Sequence, residues 1–108
     1  ISILGQTSPG GITLAGAPVS VSKTKHVIIR HLRFRLGTFG YAEDALTVRN
    51  SEQVIIDHCS LSWSVDETGS FYNNRNFTLQ NSLIANSLND FYKLVEKSLY
   101  NCIKYFRC

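Results

Sequence analysis

Three segments of the chain share one pattern of polarity: VIIRHLRFR from Val27, VIIDHCSLS from Val54 and FTLQNSLIA from Phe77. In each, the first and third positions are apolar, the fourth and fifth form a polar pair, and apolar character returns three places later. Alternation of this kind is the mark of a half-buried strand. The spacing of their starts falls within the repeat lengths of solenoids, roughly 20 to 50 residues. Shorter strand candidates lie around them: GITLAG, VSVSK, ALTVRN and GSFYNN, each bounded by Gly, Asn, Asp or Ser. Asn-Gly and Asp-Gly hairpin turns are absent from the sequence. A repeat in the twenties with several short strands per unit therefore predicts an all-β parallel β-helix of a few coils rather than a sandwich.

In such a solenoid, equivalent positions of successive coils stack. His31, His58 and Asn81 then form one column, and Arg30, Asp57 and Gln80 the column beside it. We read Asp57, His58, His31 and Asn81 as a structural polar ladder at a corner between strands, because buried polar groups are normally hydrogen-bonded partners. A catalytic Asp57–His58 dyad is the rival reading, but no serine-based triad accompanies it. Cys59 follows His58 directly, so the two side chains point to opposite faces of a strand; it reads as a small core residue.

The pattern changes after residue 89. Phe91, Leu94, Val95, Leu99, Cys102, Ile103 and Phe106 recur at spacings of three and four, with Lys93, Glu96, Lys97, Lys104 and Arg107 mostly off that face. This predicts an amphipathic α-helix over 90–108, N-capped by Asn89 or Asp90, that covers the open end of the solenoid or docks on sequence outside this chain. The expected division is a partial β-helix over 1–89 and a helical tail over 90–108.

Acidic residues gather at two of the turns. Asp44 precedes the ALTV strand, and Asp66, one approximate repeat later, precedes the turn into GSFYNN. If the coil length equals that separation, the two occupy equivalent corners about 4.8 Å apart. Glu43 and Glu67 flank them, so four of the eight acidic residues cluster there. Hard oxygen donors of this type suit Ca²⁺. The competing account is that each acidic residue caps and solvates its own turn.

Composition narrows the remaining possibilities. With 108 residues, 44% of them hydrophobic, the chain has the size of one globular domain. A net charge of +3 without any basic run argues against nucleic acid as a partner, and no apolar stretch is long enough to span a bilayer. Three cysteines without a CxxC pair suggest neither a disulfide framework nor a zinc site. The chain has no methionine and begins in strand-like sequence, so we expect a mature domain or a fragment whose targeting segment lay upstream. Asn76-Phe77-Thr78 is a glycosylation sequon, although a turn asparagine is the more ordinary account of Asn76. Trp63, Tyr41, Phe71 and Tyr72 offer a sugar-stacking platform; stacking inside the coil is the more ordinary use of such rings and is the expectation here.

GQTSPGGITLAGAPVSV, HVIIRHLRFRLG, DALTV, VIIDHCSLSWSVDE and NFTLQNSLIANSLN, in that order, resemble the N-terminal half of the pectate lyase family of polysaccharide lyases. The resemblance implies a right-handed parallel β-helix and Ca²⁺-dependent β-elimination of polygalacturonate or a related uronate polymer. It implies that Asp44 and Asp66 are metal ligands, with Glu43 and Glu67 as weaker candidates. Ser62 stands where the family has a further calcium glutamate. The family's base is an arginine in a later coil; Arg30, Arg33, Arg35, Arg49 and Arg75 do not match it, so no catalytic residue is assigned. Lys93 falls near a substrate-binding lysine of the family. The resemblance further implies a monomer that is secreted or periplasmic and takes an acidic, pectate-like polysaccharide. A non-catalytic β-helix that binds acidic glycans is the alternative.

Overall fold

A computed structural model of the chain describes residues 1–38 and 43–87. The first coil holds β1 (Ser2–Leu4), β2 (Ile12–Ala15) and β3 (Val19–Ser22), and the second β4 (Lys25–Arg30), β5 (Leu32–Arg35) and β6 (Leu46–Arg49). The third holds β7 (Glu52–Asp57), β8 (Ser60–Ser62) and β9 (Gly69–Tyr72), and a fourth begins with β10 (Arg75–Gln80) and β11 (Leu83–Ala85). Each strand pairs in parallel with its counterpart one coil on. The result is three sheets, ordered β1-β4-β7-β10, β2-β5-β8-β11 and β3-β6-β9. The protein is thus an all-β parallel solenoid of about three turns, with no helix among the described residues. The predicted 90–108 helix, and Lys93 in it, lie outside those residues, as does Tyr41.

Alternation along each strand sends one set of side chains into the coil. Val27 and Ile29 are buried on β4 while Ile28 is exposed, and Val54 and Ile56 are buried on β7 while Ile55 is exposed. Register then builds apolar columns along the axis: Val27–Val54–Phe77 in the first sheet, Leu14–Phe34–Leu61–Ile84 in the second and Val21–Val48–Phe71 in the third. Gly69 is where the third coil narrows. A Cβ there would come within about 3 Å of the Phe71 ring and Leu61, so the space is already filled by Phe71, which stacks on Phe77 at 5.0 Å.

The coils turn by left-handed residues. His31, His58 and Asn81 end the strands of the first sheet with φ of 57°, 52° and 49°, and Lys23, Asn50 and Asn73 do the same in the third sheet at 52°, 50° and 52°. Asn and His tolerate this region better than most side chains, which explains why polar residues punctuate such apolar strands. In the second sheet the left-handed residues are Gly16, Gly37, Trp63 and Asn86.

Candidate functional site

The acidic residues meet on the connections that lead into β6 and β9, and the geometry differs from the expected stacking by a single position. Leu46 pairs with Gly69, so this coil is one position longer than the separation of Asp44 from Asp66. Glu67 therefore stacks on Asp44, and Asp66 on Glu43. Asp44 Oδ1 accepts the Glu67 N–H at 2.9 Å, and Asp44 Oδ2 accepts the Thr47 hydroxyl at 3.2 Å. The Asp66 N–H donates to the Glu43 carbonyl at 3.3 Å, and Ala45 N–H to the Glu67 carbonyl at 3.3 Å. Glu67 Oε2 accepts the Ser70 hydroxyl. Asp44, Asp66 and Glu67 are half-buried and Glu43 is exposed.

Hydroxyl groups that the sequence pattern did not single out support this turn from beneath. Buried Ser64 donates to Thr68 Oγ1 at 3.2 Å, and Ser87 reaches up one coil to the carbonyls of Ser64 and Asp66 at 3.4 and 2.9 Å. Their run of small hydroxyl residues, SVDET followed a coil later by NS, was the available signal.

Oxygen donors of this kind match the preference of Ca²⁺, which takes about six to eight of them. Among the described residues, however, no three acidic, histidine or cysteine side chains converge on one point, and both Asp44 oxygens already accept hydrogen bonds. The described residues therefore do not assemble a calcium shell by themselves, and Ser62 is buried on β8.

A second polar cluster sits at the corner between the first and second sheets. Asp57, whose side chain is 4% exposed, receives Arg30 Nε at 2.8 Å, His58 Nδ1 at 2.9 Å and Asn81 Nδ2 at 3.0 Å. His58 stacks on His31 with ring centroids 4.8 Å apart. Burial alone would raise the Asp57 carboxyl, but the donors from Asn81, His58 and Arg30 outweigh it and hold the group well below the ordinary carboxylate range. Both Asp57 oxygens are thus engaged by its own neighbours. Cys59 is buried beside it, its thiol within 3.4 Å of the Asp57 carbonyl and 3.7 Å of the Ile29 carbonyl, and burial pushes that thiol up, away from thiolate.

The aromatic residues divide in a way the sequence does not suggest. Phe71 lies in the core as expected, but Trp63 and Tyr72 face solvent, with exposures of 52% and 49%. Trp63 directly follows β8, on the connection that carries Asp66 and Glu67. The arginines are held elsewhere: Arg35 donates to the Phe34 and Ser60 carbonyls and to Ser60 Oγ, and Arg33 to the Gly10 carbonyl.

Fold and turn together define a parallel β-solenoid with a carboxylate-bearing, aromatic-flanked connection on its surface. Comparison with curated proteins gives this class a family. Over 91 residues, 82% of the chain, it is 43% identical to the probable pectate lyase C of Aspergillus terreus and 44% to that of Aspergillus fumigatus. It is 42% identical over the same length to the probable pectate lyase C of Emericella nidulans. The chain corresponds to a portion of a pectate lyase-family protein, spanning 22% of the length of these relatives. No family model matches it.

Proposed function

We propose that the chain is part of a pectate lyase-like polysaccharide lyase that cleaves polygalacturonate or a related uronate polymer by β-elimination. The identity of 42–44% to probable pectate lyases C, carried on a parallel solenoid, is the observation that supports this reading most strongly. In β-elimination the proton α to the uronate carboxylate is removed and the glycosidic oxygen at C4 leaves. Ca²⁺, where bound, would offset the negative charge that develops at that carboxylate. Asp44 and Asp66 are the proposed ligands, with Glu43 and Glu67 beside them and further oxygens from outside the described residues. The same turn positions Trp63 toward solvent. A right-handed coil, secretion and action as a monomer belong to the same proposal.

None of the described arginines lies on the acidic connection, which favours a second reading for the chain as it stands: a non-catalytic β-helix that binds acidic glycans. Incubation with polygalacturonate and Ca²⁺ separates the two. A near-ultraviolet absorbance rise from unsaturated uronate, abolished by a chelator, supports the lyase. Calcium-dependent retention on the polymer without that rise supports the binder, and the absence of both would reject both readings.

A further inference from the structure

We propose that Trp63 is a sugar-stacking residue that receives a pyranose ring of the uronate polymer beside the carboxylate turn; this rests on the acidic-glycan reading above and deepens it. Trp63 occupies the left-handed region, at φ 61°, at the corner where the strand register places Gly16, Leu36 and Asn86 in the other coils, of which Gly16 and Asn86 are also left-handed. A bulky aromatic is unsuited to that region. It is also the chain's single tryptophan and is 52% exposed.

The bonds that tie this corner to its neighbours use only backbone: Gly37 N–H donates to the Trp63 carbonyl at 2.6 Å, and the Trp63 N–H to the Asn86 carbonyl at 2.9 Å. Any residue able to adopt the conformation supplies both groups. Aromatic stacking inside the coil is provided by Phe71 and Phe77. Left-handed residues recur at the corners of every coil, from Lys23 to Asn86, so what sets Trp63 apart is the large exposed ring it carries there.

The chemistry of the connection suggests the occupant. An indole face is electron-rich and apolar, which suits the C–H face of a pyranose. Asp66 and Glu67, a few positions further on, repel a bare uronate carboxylate, so a cation between them would let a uronate ring lie on Trp63. Stacking by the ring and a bridged carboxylate together distinguish a uronate from a neutral sugar.

Because Trp63 is the only tryptophan, intrinsic tryptophan fluorescence reports on it alone. The purified chain is titrated with polygalacturonate in Ca²⁺, with calorimetry in parallel on the wild type, Trp63→Asn and Trp63→Phe. We expect a saturable blue shift of wild-type emission and affinity about tenfold weaker for Trp63→Asn. Trp63→Phe keeps most of the binding. Thermal unfolding of Trp63→Asn is expected at or above the wild-type temperature, because Asn86 shows that asparagine fits this corner.

Binding by calorimetry with unmoved emission, and equal affinity in Trp63→Asn, would overturn the assignment of Trp63 while leaving the glycan reading intact. A marked drop in the unfolding temperature of Trp63→Asn would overturn it too, by showing that the indole is structural. No binding by folded wild type would overturn both.

Discussion

At Asp57, burial and hydrogen bonding act in opposite directions, and the hydrogen bonds win. Its folded pKa is depressed, so the stability it contributes is complete above the unfolded value near 4 and is lost progressively as pH falls below that toward the folded value. Acid unfolding of Asp57→Asn should therefore be less steep below about pH 4 than that of the wild type. At neutral pH the same variant should be less stable by about 1.5–3 kcal/mol, the worth of hydrogen bonds to a charged group, as denaturant titration would show. Trp63 is the opposite case, a residue whose local geometry costs stability. The left-handed region costs a non-glycine residue about 1–2 kcal/mol, so Trp63→Gly should recover part of this in the same titration. Polarity alone led us to expect Asp57 and His58 at a corner, since two polar residues interrupt an apolar strand. It led us to expect Trp63 inside, because a hydrophobicity pattern carries no record of which turn residue takes a positive φ.

Long strands with strict alternation, such as β4 and β7, were legible because their inward residues are apolar. Within one sheet their columns pack best in the middle coils. Leu61 on β8 is fully buried between Phe34 and Ile84, whereas Leu14 on β2 is half-buried at the end of the same column. Leu61→Ala should cost about 2–5 kcal/mol, and Leu14→Ala distinctly less, a contrast that urea unfolding of both variants would measure. Gly69→Ala should be destabilising too, since Phe71 and Leu61 occupy the space its methyl would need. The register between elements was less legible, because connections differ in length from coil to coil. Val27 pairs with Val54 and Val54 with Phe77, and the first of these steps along the chain is several positions longer than the second. Asp44 and Asp66 are therefore one position out of register, and Glu67 takes the stacked place.

For the whole molecule, that single-position difference changes what the acidic turn does. Each coil is bonded to the next through backbone and through side chains that reach one repeat along, as Asp44 does to Glu67, Asn81 to Asp57 and Ser87 to Asp66. A solenoid built this way passes the position of one corner to the next, so the carboxylates are held on a rigid frame. Asp44 caps the connection that carries Glu67, so the two proposed ligands, Asp44 and Asp66, sit on adjacent coils one position out of register, with Glu43 and Glu67 beside them. The family was legible from five segments in order, because those segments are the strands and corners that make the coil. Calorimetric titration of the purified chain with Ca²⁺, beside an Asp44→Ala, Asp66→Ala double variant, tests the proposed function most directly. The proposed calcium ligands predict saturable binding in the wild type that the double variant loses while remaining folded. No binding by the folded wild type, or equal binding in the variant, would contradict that assignment and leave these carboxylates as caps of their own turns.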